Sequence, residues 1–153
     1  MRNYLLLSSL IFLLFSCSGS SDLKFNGSDI TEARLNPLFE LTSHLGKSTN
    51  IENFNGKVVA VFFGFTYCPD VCPTTMYELK AIKDSLGSDG DMLQVIFVSL
   101  DPERDSIEVL EKFIPSFDPS FIGLTGTAAE IKKIAGQYKI YYQKVGDDES
   151  YTI

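Results

Sequence analysis

The sequence predicts an α/β protein with a central, mostly parallel sheet flanked by helices, and two observations carry this prediction. Residues 58–65 and 93–100 are continuous apolar runs rich in β-branched and aromatic side chains, which is typical of strands buried on both faces. A helical pattern follows each run, at Thr74–Leu86 and Asp105–Phe113. Strands that alternate with helices favour parallel pairing through right-handed crossovers.

The helical segments carry start and stop signals of their own. Asp105 with Glu108 fits a capping box for the second helix, and Thr127 with Glu130 fits one for a third helix. Gly87 stands where the first helix should stop. That helix has an apolar stripe that we assign to the core, formed by Met76, Leu79, Ile82 and Leu86.

Short strands and hairpins fill the rest of the chain. The pattern predicts a small hairpin with an arm at 38–41 and a turn at 46–50, and a brief strand at 121–124. Segments 140–145 and 151–153 are predicted to be the arms of a second hairpin. This order of elements suits a thioredoxin-like fold, and the first apolar run is the best candidate for its central strand.

The N-terminal residues indicate export. Arg2 precedes an apolar run, Leu5–Phe15, that is too short to cross a hydrocarbon layer of ~30 Å as a helix. The run ends at Cys17 in a pattern that resembles the acylation site of bacterial lipoproteins, so residues 1–16 are predicted to be a lipoprotein signal peptide. A plain secretory signal or an uncleaved anchor is the alternative. The polar residues that begin the segment 17–34 are typical of a flexible tether.

Beyond the tether, residues 35–153 are predicted to form one domain. The chain has 153 residues with apolar and charged fractions of 44% and 22%, which are those of an ordinary globular protein. Its formal net charge is −7. Because proteins that bind nucleic acids carry clustered Lys and Arg, this charge argues against a nucleic-acid partner.

The three cysteines divide between these parts of the chain. If Cys17 carries lipid, Cys68 and Cys72 remain as a close pair for the folded domain. They lie in the segment 68–73 (Cys-Pro-Asp-Val-Cys-Pro), between the first apolar run and the first helix. Sites in open α/β sheets collect at the carboxyl ends of the strands, and a helix N-terminus favours a thiolate. The sequence therefore predicts a reactive thiol pair.

The spacing of the pair distinguishes between kinds of chemistry. Three residues separate Cys68 from Cys72, whereas thioredoxin-type oxidoreductases have two between their cysteines. In a helical turn the two sulfurs would lie on one side, where they can bind one ion or, if the loop relaxes, close a disulfide. Soft thiolates select Cu(I), and zinc would require more ligands. A purely structural disulfide is a further possibility, although so short a loop would add little stability.

Several motifs in the same order resemble one known family, the Sco/SenC proteins. The resemblance extends from about Leu38 to the last residue and rests on four segments: 63–73 (Phe-Gly-Phe-Thr-Tyr-Cys-Pro-Asp-Val-Cys-Pro), 98–105 (Val-Ser-Leu-Asp-Pro-Glu-Arg-Asp), 121–126 (Phe-Ile-Gly-Leu-Thr-Gly) and 151–153 (Tyr-Thr-Ile). It implies a thioredoxin fold and copper binding through Cys68, Cys72 and a histidine.

The resemblance also implies a function in the assembly of the copper centre of cytochrome c oxidase. The chain would act as a metallochaperone, as a thiol reductase of the target cysteines, or as both. Its partners would be the copper-site subunit of the oxidase and other copper carriers or thiol reductases. In the family the histidine follows the Tyr151 position within a few residues, so we expect the third ligand and the end of the fold beyond Ile153. His44 lies in an early polar turn and is interpreted as a surface residue.

Acidic residues near the cysteines are assigned supporting roles. Asp70 is either a proton-accepting or target-recognising group, or a residue that favours the turn and the helix start. Asp101, at the end of the second apolar run, is expected to lie close to Cys68 and to position the site, or else to cap its own loop. Arg104 and Asp105 are expected to fix that loop. The tyrosines at positions 138, 141 and 142 are assigned to core and edge packing.

Two other functions remain open at this point. The chain could be a thiol–disulfide oxidoreductase or thiol peroxidase of the cell envelope, or a lipoprotein whose disulfide is only structural. In each case the lipid on Cys17 would hold the domain on the extracytoplasmic side of a membrane.

Overall fold

The computed structural model describes residues 26–33, 35, 38–146 and 150–153. The chain divides into two units, Met1–Arg34 and Leu35–Ile153. In the described part of the first unit, Thr31–Ala33 forms a single 3₁₀ turn, and the Asp29 carboxylate accepts hydrogen bonds from the N–H and hydroxyl of Thr31. The predicted signal peptide, Cys17 and most of the tether lie outside the described residues. Within those residues, no helix combines the length and apolar character needed to cross a bilayer.

The described residues of the second unit form five strands and three helices. The strands are β1 (Glu40–Ser43), β2 (Ser48–Asn50), β3 (Val58–Gly64), β4 (Leu93–Ser99) and β5 (Ile122–Thr125), and the helices are α1 (Val71–Ser85), α2 (Ile107–Phe113) and α3 (Ala128–Gln137). Short 3₁₀ turns at Ile51–Phe54, Gly87–Met92 and Ile114–Ser116 connect them.

The sheet has the order β2-β1-β5-β4-β3. Strands β3, β4 and β5 are parallel, with Val58 opposite Leu93 and Gly64 opposite Ser99 along the β3–β4 pair. The hairpin of β1 and β2 joins β5 in antiparallel pairing. The predicted α/β class is therefore correct, and the carboxyl ends of the three parallel strands meet at one edge.

The two faces of the sheet are covered by different helices. On one face α3 packs on buried residues of β4 and β5, together with Phe39 and Leu41. On the other face Met76 of α1 and Leu110 of α2 pack against Val95 and Phe97 of β4. Burial of these apolar side chains is the main stabilising contribution to such a layered core.

The prediction that β3 is the central strand is wrong. In the described sheet β3 lies at an edge and pairs with β4, while β4 lies between β3 and β5. The apolar pattern correctly predicted that both faces of β3 are packed: Val59 packs against one core cluster and Ala60 against the other. Val58, however, is 69% exposed. Side-chain periodicity reports which faces are packed and carries no information on strand order.

Helix α1 differs from its prediction in its first residue and in the burial of its last turns. It begins at Val71 rather than Thr74, so Cys72 is helical, and Pro73 lies in the first turn, where it is tolerated. Gly87 has a φ of +55°, as expected for a helix stop. The apolar stripe is wrong in its second half, because Ile82 and Leu86 are exposed. That end of α1 faces the Gly87–Met92 turn, whose Gly90 carbonyl accepts a hydrogen bond from Lys83 Nζ at 2.6 Å.

The capping predictions had mixed outcomes. Thr127 and Glu130 form the predicted capping box of α3. Helix α2 is capped by Ser106, whose hydroxyl accepts a hydrogen bond from the Val109 N–H at 3.4 Å, so the predicted Asp105–Glu108 box is wrong. Asp105 is instead completely buried, and its carboxylate makes hydrogen bonds inside the protein.

Four further predictions need correction outside the helices. Residues 48–50, predicted as part of a turn, form strand β2. His44 is 4% exposed rather than on the surface, because its Nδ1 accepts a hydrogen bond from the N–H of Gly123 at 3.1 Å.

The tyrosines near the end of the chain differ in burial: Tyr138 and Tyr142 pack on the core, but Tyr141 is 85% exposed. The predicted second hairpin appears as one antiparallel bridge between Val145 and Thr152.

Candidate metal and thiol site

The two domain cysteines lie together at the carboxyl end of β3. Cys68 is half-buried in the loop after the strand, and Cys72 is the second residue of α1 and is 5% exposed. The N–H of Cys72 donates a hydrogen bond to Cys68 Sγ at 3.4 Å. Both are free thiols. The structure thus places both thiols at the start of α1, and their role as a reactive or metal-binding pair stays a prediction.

The surroundings make the two thiols unequal. Burial by itself would raise the pKa of Cys68, but hydrogen bonds from the N–H groups of Cys72, Asp70 and Val71 and from the Cys72 thiol lower it overall. Burial raises the pKa of Cys72 to about 12, and the neighbouring Cys68 sulfur and the Asp105 carboxylate act in the same direction. Cys68 is therefore the group that favours the thiolate, while Cys72 favours the thiol.

A glycine makes room for the Cys72 sulfur. A Cβ placed on Gly64, the last residue of β3, would lie 3.0 Å from Cys72 Sγ and 3.0 Å from the rings of Phe62 and Phe97. A side chain at position 64 would therefore require one of these groups to move. The sulfur of Cys72 rests on the backbone of the strand. The sequence offered the hint of a glycine in an otherwise apolar run, which often marks a close approach.

Asp105 lies at the centre of a hydrogen-bond network below the cysteine loop. Its carboxylate accepts from the N–H of Thr66 at 3.0 Å, the Thr66 hydroxyl at 2.5 Å and the Ser99 hydroxyl at 2.6 Å. The hydroxyl of Thr125 donates to the Asp105 main-chain carbonyl at 3.2 Å. Burial raises the pKa of Asp105 despite these hydrogen bonds. The sequence predicts only that Asp105 fixes its own loop; its partners Thr66 and Thr125 are too distant in the chain for a local pattern to indicate them.

Asp101 is held in what we call the Asp101 cluster, formed by Asp101, Arg104 and Tyr151. Asp101 is 2% exposed and binds Arg104 Nε through Oδ2 and the Tyr151 hydroxyl through Oδ1, both at 2.5 Å. The Arg104 guanidinium lies over the rings of Tyr67 and Tyr151, at 4.6 and 3.5 Å from their centroids.

This cluster borders the cysteine loop. A shallow groove is lined by Tyr67 and Pro69 of the loop together with Arg104 and Tyr151. The Asp101 carboxylate binds Arg104 and Tyr151. Its connection to the cysteine loop is indirect, because Arg104 in turn lies over the ring of Tyr67. The proposed role of Asp101 in positioning the site remains a prediction.

Asp70 occupies the N-cap position of α1, and no cap hydrogen bond comes from its side chain. Its carboxylate is on the exposed side of the loop, while its N–H points to the Cys68 sulfur. The backbone of Asp70 therefore supports the thiolate, and a role for its side chain in proton transfer or target recognition remains a prediction.

The described residues contain no group of three or more His, Cys, Asp and Glu side chains arranged to hold a metal ion. His44 lies in the β1–β2 turn, where its Nδ1 is engaged by Gly123. Within this part of the chain, the donor set at the site is the pair of sulfurs.

The fold and the site together define a thioredoxin-like α/β protein with a CxxxC dithiol at the start of its first helix. The family model described as SCO1/SenC matches residues 27–153. The chain belongs to the SCO1/SenC family.

Individual relatives agree with this assignment. The chain is 36% identical over 125 residues to "Protein SCO1 homolog 1, mitochondrial" of Arabidopsis thaliana, covering 81% of this chain and 37% of the relative. It matches the structure of Bradyrhizobium japonicum ScoI with copper bound at a TM-score of 0.72 and 40% identity, covering 77% of this chain and 76% of that one. It also matches BsSco, described as a member of the Sco family of cytochrome c oxidase assembly proteins and reported with a disulfide switch, at a TM-score of 0.59 and 26% identity, covering 74% of this chain and 67% of that one.

The chain spans about two fifths of the length of the SCO1 relatives from Arabidopsis thaliana and Homo sapiens that it matches.

Proposed function

We propose that the chain binds Cu(I) through Cys68 and Cys72 and delivers it to the copper-site subunit of cytochrome c oxidase. The observation that carries the proposal is the position of the two sulfurs, which lie side by side where three backbone N–H groups favour the thiolate of Cys68. Thiolates are soft ligands and select Cu(I). A copper-bound relative and a relative from the oxidase assembly family support the same function.

The donor set fits Cu(I) better than Cu(II). The two sulfurs provide soft ligands, whereas Cu(II) prefers imidazole nitrogen alongside sulfur. The histidine of the described residues, His44, is engaged in the hairpin turn. When copper binds, Cys72 must give up its proton, so uptake should release protons and become stronger as the pH rises.

The test is a titration of the reduced full chain with Cu(I) in the presence of the chromophoric chelator bicinchoninate. We expect one copper per chain, and its loss in Cys68→Ser and in Cys72→Ser. Cys17→Ser is the matched control, since it removes a cysteine outside the domain and should retain the metal. Copper that stays bound when both domain cysteines are serine would rule out this site.

We also propose that residues 1–16 are a lipoprotein signal peptide, that Cys17 is acylated, and that residues 17–34 tether the domain 35–153 to the extracytoplasmic face of a membrane. The apolar run followed by cysteine in the sequence supports this proposal. Expression with labelled palmitate should place label on the wild-type chain and none on Cys17→Ser. Label on both chains would contradict it.

A second function, reduction of a target disulfide, is favoured by the unequal pKa values of the pair. The Cys68 thiolate would attack one sulfur of the target disulfide to form a mixed disulfide and release the other sulfur as a thiolate, which takes a proton. Cys72, after losing its proton, would then attack Cys68. The target leaves with two thiols and the chain with a Cys68–Cys72 disulfide. In a stoichiometric assay, Cys72→Ser should trap the mixed disulfide and Cys68→Ser should not. A model protein disulfide left intact by the reduced wild type would exclude this function.

A further inference from the structure

We propose that Asp105 is the positioning residue of the Cys68–Cys72 pair: its carboxylate ties the loop that carries Cys68 to the carboxyl end of β4. Asp105 follows β4 and directly precedes the Ser106 cap of α2, far from both cysteines in sequence. The inference deepens the proposed copper function and rests on it only where copper is the probe.

The contact that carries the inference is between Asp105 and Thr66, two residues before Cys68. Both polar donors of Thr66, its N–H and its hydroxyl, bind the carboxylate of Asp105, at 3.0 and 2.5 Å, one to each oxygen. Hydrogen bonds to an ionised acceptor are shorter and stronger than neutral ones. Together they fix the backbone and the χ1 rotamer of Thr66. The start of the cysteine loop therefore has one defined position.

Asp105 is itself fixed from two sides. Ser99, the last residue of β4, donates its hydroxyl to the same carboxylate at 2.6 Å. Thr125, the last residue of β5, donates to the main-chain carbonyl of Asp105 at 3.2 Å, and the Asp105 N–H donates to the Asp101 carbonyl at 2.8 Å. Asp105 thus links the loop after β3 to the carboxyl end of β4 through its side chain, and its main chain is held by the end of β5.

The chemistry of this position suggests more than a general contribution to stability. Burying a carboxylate is costly, and the described hydrogen bonds to this one come from hydroxyl and amide groups rather than from a cation. The carboxylate also lies near enough to Cys72 to affect that thiol electrostatically. The Asp105 carboxylate therefore holds the loop that carries Cys68 and also acts electrostatically on Cys72. This position allows it to set the geometry of the dithiol.

The same arrangement predicts how the pair should change when the link is broken. In the structure the loop is held with both sulfurs as free thiols. Release of the loop should make closure to a disulfide easier, because less restraint opposes the approach of the sulfurs. It should also weaken Cu(I) binding, because two ligands that are no longer pre-positioned must be ordered when the metal binds.

The variants separate positioning from general stability. Asp105→Asn preserves size and removes the charge, and Thr66→Val removes the hydroxyl and retains the N–H. Thr66→Ser retains both donors, so its disulfide equilibrium and Cu(I) affinity should stay close to those of the wild type. Asp118→Asn is the matched control: Asp118 is another buried carboxylate, which accepts from the N–H and hydroxyl of Ser120 at 2.8 and 2.6 Å before β5.

The first measurement uses the full chain and no metal. The protein is equilibrated with glutathione and glutathione disulfide, and its thiols are then alkylated and counted by mass. In this reaction Cys68 and Cys72 lose two protons and two electrons to become a disulfide, while one glutathione disulfide becomes two glutathione thiols. For Asp105→Asn and Thr66→Val we expect a shift towards the protein disulfide of roughly tenfold in the equilibrium constant, or about 30 mV.

The second measurement is the Cu(I) titration, in which the same two variants should bind roughly tenfold more weakly than wild type. Wild-type values for both Asp105→Asn and Thr66→Val in the glutathione equilibrium would overturn the inference, and so would an equal shift in Asp118→Asn. If Asp105→Asn does not fold, Thr66→Val decides. If the wild type binds no Cu(I), the proposed copper function fails, and the glutathione measurement alone still tests the role of Asp105.

Discussion

Tyr151 donates its phenolic hydrogen to Oδ1 of Asp101 at 2.5 Å, across 50 positions of sequence. The other carboxylate oxygen is bound by Arg104 Nε, and the Arg104 guanidinium lies 3.5 Å from the centroid of the Tyr151 ring. Lys144 Nζ lies 3.7 Å from the same ring centroid. The segment around Tyr151 is therefore fixed to the loop between β4 and α2, next to the cysteine loop.

This contact predicts a stability change at alkaline pH. Burial and the hydrogen bond to Asp101 raise the pKa of Tyr151 from 10.0 to about 12. Between these values the folded state keeps a proton that the unfolded state loses, so the free energy of unfolding should fall as the pH rises from about 10 to 12. Tyr151→Phe should reduce the steepness of that fall in urea titrations.

The fall should not vanish in Tyr151→Phe, because Cys72 also titrates at a raised pKa and contributes in the same direction from about pH 9. Tyr141→Phe is the control, since Tyr141 is 85% exposed and should leave the pH dependence as in wild type. Equal slopes in Tyr151→Phe and wild type would show that the phenol is not protected as described.

The stacked guanidinium gives a second prediction. Arg104→Lys keeps the positive charge but loses the planar group that lies between Tyr67 and Tyr151, so we expect the free energy of unfolding to fall by about 1–3 kcal/mol. Lys80→Met is the comparison, because the Lys80–Asp84 pair is exposed to solvent on the surface of α1 and should contribute little to stability. A smaller loss for Arg104→Lys than for Lys80→Met in urea unfolding would contradict the structural account.

The unequal thiols give a third prediction. Because the pKa of Cys68 is lowered and that of Cys72 is raised to about 12, iodoacetamide at neutral pH should alkylate Cys68 first. Alkylation of Cys72 should remain slow until the pH is strongly alkaline or the chain is unfolded. Peptide mass spectrometry over a series of pH values measures both rates, and urea-unfolded protein, in which the two should react alike, is the control. Faster modification of Cys72 in the folded protein would reverse the assignment.

The packing of Gly123 gives a fourth prediction. A Cβ at this position would come within 2.5 Å of Ile114 Cγ1, which is completely buried. We expect Gly123→Ala to lower the free energy of unfolding by about 1–3 kcal/mol through overpacking. Gly136→Ala is the matched control: nothing lies near its Cβ position in α3, so alanine should stabilise the helix by about 0.5–1 kcal/mol. Thermal unfolding of the two variants should therefore shift in opposite directions.

Local patterns were sufficient for much of the fold and for the thiol pair. The apolar runs became β3 and β4, the Thr127–Glu130 pair became the cap of α3, and Gly87 became a helix stop. These features depend on residues a few positions apart, which is the range over which periodicity and capping act. The thiol pair is also a local feature, because the short separation of Cys68 and Cys72 and the helix that follows place them together.

Features that depend on distant parts of the chain were missed. The buried state of His44 depends on Gly123, 79 positions away, and the network of Asp105 depends on Thr66, 39 positions away. A polar residue in a polar stretch is predicted to be exposed, because the sequence does not show the distant residue with which it forms a buried hydrogen bond. The edge position of β3 likewise follows from the order in which strands pair, which the side-chain pattern of a single strand does not encode.

The contact between Gly64 and Cys72 has a consequence for how the pair can adapt to what it binds. Because Cys72 is buried and its sulfur lies close to the backbone of β3 at Gly64, that sulfur has little room to move further into the protein. Cys68 lies in a loop and is half-buried. Any change in the distance between the two sulfurs, whether to accommodate an ion or to form a bond, must therefore come mainly from movement of Cys68.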